Sequence, residues 1–239
     1  MKLDAIFFGA HPDDVELSCG GTVVKLINSG KKVGIIDLTA GELGTRGSKL
    51  IREKETQKAS RILNISLRKN LNIKDGNIQN NEENRIEIIK IIREYKPAII
   101  FFPHYHDRHP DHQNANYLIK EGAFFSGLPK IITKLGNIKQ ESYRPVKNYY
   151  FMQTYTFEPS FIIDISGEFN NKMKAVKCYS SQFYNPKSNE PETFISDKKF
   201  MEFLEARAVY YGFQIGVKYG EPYYSEEKIK FDINNLFNC

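Results

Sequence analysis

Two short runs of this 239-residue chain carry side chains that can do chemistry. They are Ala10-His11-Pro12-Asp13-Asp14 and Pro103-His104-Tyr105-His106-Asp107-Arg108-His109-Pro110-Asp111-His112. Four of the five histidines fall in the second run. Imidazole and carboxylate together suit zinc, and a catalytic zinc site takes three protein ligands and leaves one position for water. His11 and Asp14, separated by a tight turn, can reach one ion together. A third ligand must come from the second run, and His112 is the best candidate. Asp13 leaves the same turn and need not ligate; it is placed to take a proton from a bound water. His109 and Asp111 read as a further acid/base pair, the carboxylate orienting the imidazole and raising its pKa. His104 and His106 read as surface loop residues. Taken singly, a His-Pro-Asp run is usually a turn with an aspartate capping a helix. A cap explains neither histidine cluster, so the two runs together point to a metal site.

The elements around these runs must place them side by side. Leu3–Phe8 reads as a strand, Thr22–Ser29 as the body of a helix and Val33–Leu38 as a second strand. A glycine-rich loop over Ala40–Ser48 precedes a helix around Ile51–Leu63, and Ile86–Tyr95 reads as a helix stopped by Pro97. Ala98–Phe102 is a very apolar strand, Tyr149–Gln153 and Phe161–Ile165 are later strands, and Glu168–Tyr179 and Asp197–Tyr211 are late helices. Strands alternating with helices predict an α/β fold, a Rossmann-like, mostly parallel sheet with helices on both faces, in a single domain over residues 1–239. Ligands bind beyond the carboxyl ends of the strands in such sheets, where both runs emerge. Residues 183–199 read as a long polar loop of functional type. Gly20-Gly21-Thr22 lacks nucleotide-loop spacing and reads as close packing of a helix on a strand.

Bulk composition removes other classes. Lys+Arg exceed Asp+Glu by 34 − 29 = 5, spread along the chain without a basic arm, which gives no support to a nucleic-acid partner. No stretch is long enough to span a membrane, and Cys19, Cys178 and Cys239 form no C-x-x-C pair. A cytoplasmic enzyme that assembles as a homo-oligomer is the expectation.

At these residues the sequence resembles the metal-dependent N-deacetylases that include the PIG-L and LmbE-like proteins. The resemblance rests on A-H-P-D-D at 10–14, G-G-T at 20–22, D-L-T-A-G-E-L-G-T-R-G at 37–47, Arg52, Glu55 and H-P-D-H at 109–112. Within that family the chain looks most like the members that deacetylate N-acetylglucosaminyl malate on the route to bacillithiol. A-H-P-D-D-V-E-L, D-R-H-P-D-H, Tyr179-Ser180-Ser181-Gln182-Phe183 and Gln214-Ile215-Gly216-Val217 with Tyr219 carry that likeness. The resemblance implies one zinc ion, or another divalent metal, on His11, Asp14 and His112. It implies Asp13 as general base, His109 as the acid with Asp111 behind it, Arg52 against the polar end of the substrate and Arg108 beside the catalytic loop. The implied partner is a small anionic amino-sugar conjugate. One departure stands out: where some relatives place a tyrosine as oxyanion donor this chain has Phe200, and Tyr184 in the long loop is the available substitute. A non-haem iron oxygenase shares the ligand set, and a sugar-binding protein that kept the metal is the non-catalytic alternative.

Overall fold

The computed structural model describes residues 1–230, so Cys239 lies outside the described residues. β1 (Ala5–Gly9) leads into α1 (Asp14–Asn28), β2 (Val33–Asp37) into α2 (Lys49–Leu63), β3 (Leu67–Asn70) into α3 (Glu82–Tyr95) and β4 (Ile99–Pro103) into α4 (Pro110–Ser126). A small hairpin of β5 (Lys134–Leu135) and β6 (Ile138–Lys139) precedes β7 (Lys147–Phe151), β8 (Phe161–Asp164) and α5 (Phe169–Val176). A 3-10 turn at Phe194–Ser196, α6 (Phe200–Gln214) and β9 (Gly220–Tyr224) follow. The main sheet has the order β3-β2-β1-β4-β7-β9-β8. Its first five strands are parallel, and β9 runs antiparallel to both β7 and β8.

The apolar runs form these strands because both faces are covered. Ile6 and Phe8 join Ile36, Leu38, Ile100 and Phe102 in one core beneath α3 and α4. Ala5 and Phe7 join Val33, Ile35 and Phe101 in a second core against α1, α2, α5 and α6. A strand buried on both faces reads as a continuous apolar run rather than an alternation. The architecture is the α/β fold that the sequence predicts. Its chain order reverses at β1, which has β2 on one side and β4 on the other. That switch point opens a crevice at the carboxyl ends of β1 and β4.

Several boundaries differ from expectation. α1 begins at Asp14, directly after the His-Pro-Asp turn, rather than near Thr22. β3 escapes a hydrophobic search because Leu67-Arg68-Lys69-Asn70 is a half-buried edge strand with one apolar residue. β9 contains a glycine and a proline, which argue against a strand. Pro222 is tolerated because it lies opposite Ile162 of β8, while the pairing with β7 is confined to Tyr223 and Tyr224.

Gly20 and Gly21 sit inside α1 and do allow close packing, though against α5 and the residue after β8 rather than against a strand. A Cβ on Gly21 would meet the Ile165 side chain at 2.7 Å, and one on Gly20 would meet Lys172 at 3.0 Å. Beside them the buried Glu221 carboxylate accepts hydrogen bonds from Gly21 N (3.0 Å), Thr22 N (2.7 Å), Thr22 Oγ1 (2.6 Å) and Lys172 Nζ (2.6 Å). This buried ion pair fastens α1 to α5 and β9. Removing one partner strands the other as an uncompensated charge, so Glu221→Ala is expected to lower the unfolding free energy by about 3–5 kcal/mol. Urea denaturation measures this, and a loss under about 1 kcal/mol would show that water already solvates Lys172.

Candidate active site

The turn after β1 is tight and strained. Asp13, the N-cap of α1, has φ 110°, a backbone region that costs a non-glycine residue free energy and tends to occur at functional sites. The Asp14 carboxylate closes the turn by accepting from His11 N at 2.8 Å. Across the crevice, His109 caps α4, its Nδ1 accepting from Asp111 N at 3.2 Å, and Pro110 opens the helix. His112 follows one turn later on the buried side.

These turns bring His11, Asp14 and His112 together. Asp14 Oδ2 lies 3.6 Å from His11 Nδ1, and Asp14 Oδ1 lies 3.3 Å from His112 Nε2. Each imidazole has carboxylate behind its other nitrogen. His11 Nε2 is 3.1 Å from Asp75 Oδ1 and 3.4 Å from Asp111 Oδ2, and His112 Nδ1 is 2.8 Å from Asp107 Oδ1. An outer carboxylate holds the proton on the outer nitrogen and leaves the inner lone pair for an ion, the usual support of a metal-bound histidine. The donor set therefore fits a divalent cation. His109 also brings a ring nitrogen into the cluster with those of His11 and His112, all within 4.8 Å of one another.

The electrostatics follow from burial and pairing. Burial opposes the imidazolium of His11, but hydrogen bonds to Asp111, Asp14 and Asp75 outweigh it and raise its pKa well above the usual value. Burial likewise opposes the charge on His112, and Asp14 and Asp107 together carry it up to about 8. Asp14 resists burial because of His112 and His11 and stays ionised well below the carboxylate range. Asp13 moves the other way: burial pushes it up to about 7 against the pull of Arg52.

Two expected roles change. The Asp111 carboxylate does not orient the His109 ring; it turns to His11 and to Gly76 N at 2.8 Å, and only its backbone N–H meets His109. Nor is the His109 pKa raised: burial and the imidazoles of His11 and His112 lower it. With Nδ1 accepting, neutral His109 carries its proton on Nε2. Arg52 is buried and bonded within the protein. Its Nη1 donates to Pro12 O at 2.6 Å and Asp13 Oδ2 at 3.2 Å. Arg108 stands exposed at the mouth, its guanidinium 4.6 Å from the Phe194 ring centre. His106 is exposed as expected, but His104 is not a surface residue. It is 5% exposed, between the rings of Tyr105 (4.1 Å) and Phe157 (4.5 Å).

A cavity of about 460 Å³ opens over this cluster. One wall is apolar, built by Phe194, Phe200, Phe203 and Leu204. Tyr184 is not among the residues that line it; its ring is 42% exposed and carries Lys198 at 5.0 Å. The substitute oxyanion donor expected there is absent from the described lining.

The sequence reading missed Asp75, Asp107 and Gln153. Asp75 and Gln153 follow the carboxyl ends of β3 and β7, the rule that found the two histidine runs, and Asp107 lies within the second run itself. Asp107 is a fixed post: Oδ1 holds His112 and accepts from His109 N, while Oδ2 accepts from Thr154 N. The late Tyr179–Gln182 segment holds the glycine-rich loop and α2. Ser181 N and Oγ donate to Glu55 at 2.7 and 2.8 Å, and Gln182 Nε2 donates to Arg46 O. In that loop Gly41 (φ 64°) and Gly47 (φ 74°) take conformations that favour glycine.

Comparison with known proteins agrees with this site. The family model PIG-L, described as GlcNAc-PI de-N-acetylase, matches residues 6–123, the span from β1 to α4. The chain is 31% identical over 223 residues to the diacetylchitobiose deacetylase of Thermococcus kodakarensis, covering 88% of this chain and 78% of that one. Among solved structures it is similar to the conserved protein TT1542 of Thermus thermophilus, with 34% identity, TM-score 0.86 and coverage of 97% and 98%. It is also similar to the N,N'-diacetylchitobiose deacetylase of Pyrococcus horikoshii, with 29% identity, TM-score 0.77 and coverage of 92% and 82%. Fold and relatives together define a hydrolytic N-deacetylase. The chain belongs to the PIG-L family.

Two measurements test the geometry. His112→Ala is expected to lose stoichiometric zinc, since it removes one of three converging donors; a variant that purifies with a full equivalent of metal would refute the ligand set. Asp13 gives a pH signature in the metal-free protein. Its folded pKa of about 7 exceeds the unfolded value, so its favourable contribution is present below about pH 4 and lost as pH rises through 7. Asp13→Asn removes that loss, and its gain in Tm should grow from pH 5 to pH 8. A pH-independent difference would mean that Asp13 is solvated.

Proposed function

We propose that this chain hydrolyses the N-acetyl group of N-acetylglucosaminyl malate in the cytoplasm, giving glucosaminyl malate and acetate. The observation that carries the chemistry is the buried Asp13–Asp14 pair, one carboxylate held ionised between two imidazoles and its neighbour brought to about 7. A general base works best with a pKa near the working pH. The N-acetylglucosamine-type substrate rests on the family and on the diacetylchitobiose deacetylases. The malate aglycone rests on the motif likeness. Both cysteines among the described residues are free, which suits a reducing compartment. No helix among them is long and apolar enough to cross a membrane.

His11, Asp14 and His112 would hold one zinc or other divalent ion, which when bound polarises the acetyl carbonyl and makes a water acidic at neutral pH. Asp13 takes the proton of the attacking water, and Arg52 fixes the carboxylate that does so. The His109 Nε2–H donates to the carbonyl oxygen as negative charge develops there. Asp13 then returns its proton to the leaving nitrogen, because an unprotonated amide anion is a very poor leaving group. Asp75 and Asp111 keep the His11 ring aimed throughout. Arg52 and Arg108 face the substrate from the loop side and the mouth of the cavity.

An amine-release assay across N-acetylglucosamine, its malate and inositol conjugates and chitobiose tests this reading. The malate conjugate is expected to have the highest kcat/KM, with no requirement for oxygen. Asp13→Asn should keep its metal and lose about 10²–10⁴-fold in kcat. A better chitobiose substrate would remove the malate assignment, and Asp13→Asn activity within a few-fold of wild type would remove the base.

A further inference from the structure

The far end of the cavity, away from the glycine-rich loop, holds a positive charge that the chemistry above does not use. Arg207 of α6 lines this end and is partly buried. Its Nη1 donates to Gln153 O and its Nη2 to Leu17 O at 3.1 Å. Both acceptors are backbone carbonyls, and among the described residues no carboxylate forms a salt bridge with it. A guanidinium offers five N–H donors, so these bonds leave donors over. The Glu221 carboxylate attracts it from beyond ion-pair distance, but that group is already bonded to Lys172 and to the backbone of α1, so Arg207 has no carboxylate of its own.

Two further polar atoms lack partners at the same end. Ser18 lines the cavity and is 5% exposed, and its buried hydroxyl has no hydrogen-bond partner. Gln153 lines it too; its Nε2 lies 3.2 Å from His112 Nε2, and its buried Oε1 has no partner. A cation, a hydroxyl and an amide oxygen thus come from α1, the end of β7 and α6 to one recess beside His112. The other arginines of the cavity are differently placed, Arg52 on Asp13 and Arg108 over Phe194 at the mouth.

We propose that Arg207 is the specificity-determining residue that binds a carboxylate on the substrate's aglycone, with Ser18 and Gln153 completing the recess. The planar guanidinium fork matches a carboxylate with two parallel hydrogen bonds. The Ser18 hydroxyl donates to the same anion, and Gln153 Oε1 accepts from a neighbouring hydroxyl of the ligand. The inference rests on the deacetylase reading of this cavity and moves recognition of the anionic group from Arg52 to the opposite wall.

The test compares an N-acetylglucosamine conjugate carrying a carboxylate aglycone with its neutral amide. Wild type is expected to favour the acid by tenfold or more in kcat/KM. Arg207→Gln should bring that ratio close to one, Arg207→Lys should keep part of it, and Ser18→Ala should reduce it at least threefold. A wild-type ratio near one overturns the proposal without any variant, and so does an unchanged ratio in Arg207→Gln. If Arg207→Gln does not fold, the Ser18→Ala ratio decides. Calorimetry with succinate reads the recess without turnover: binding that is lost in Arg207→Gln supports it, and binding that is retained overturns it. A wild type that binds succinate through Arg207 yet releases acetate from no sugar would sink the deacetylase reading and leave the recess standing.

Discussion

Asp14 lies between two imidazoles at the switch point of the sheet, and the rest of the site is arranged around keeping that buried charge in place. A carboxylate so deep would be protonated if left alone, since burial penalises its ionised form. His11 and His112 hold it ionised, and they in turn are held by Asp75, Asp111 and Asp107 behind them. The result is a layered cluster in which charge alternates outward from one carboxylate. A cation entering such a cluster would have to exchange for protons, because the two raised imidazoles would give theirs up.

Asp13 and Asp14 are neighbours in sequence with opposite electrostatic fates. Asp13, on its strained backbone, places its carboxylate against Arg52, where burial outweighs the pull of Arg52 and His11. One carboxylate is left permanently charged and the other titrates near neutrality. Two groups of one type with pKa values driven apart are what acid/base chemistry at neutral pH requires. The left-handed turn costs stability, and the scaffold offsets it with tight anchoring nearby. Arg68 bridges Asp37 and Glu16, Tyr179 OH donates to Glu16, and Glu55 collects Ser180 and Ser181.

The cavity is asymmetric in a way that suits a sugar conjugate. Its apolar wall from α6 and the 3-10 turn can lie against a flat ring face, while arginines stand at the mouth and on opposite walls. Phe200 at the tyrosine position makes the wall more apolar, and His109 lines the same cavity. Burial and the neighbouring imidazoles favour its neutral form, and with Nδ1 accepting from Asp111 N the remaining proton sits on Nε2.

The sequence alone determined the α/β fold and the two histidine runs at its switch point. Continuous apolar strands and strand-end histidines are local patterns that survive in one dimension. It also made the packing role of Gly20 and Gly21 legible, since no nucleotide loop has that spacing. It could not place β9, whose proline and glycine argue against a strand until β8 supplies a partner on one side. Nor could it decide which carboxylate serves which imidazole: Asp111 is two residues from His109 in sequence, yet its side chain reaches His11, which follows another strand. Asp75, Gln153 and Arg207 come from separate elements and carry no motif of their own. Only the tertiary structure brings them to the site, because burial and pairing depend on three-dimensional neighbours that sequence spacing does not encode.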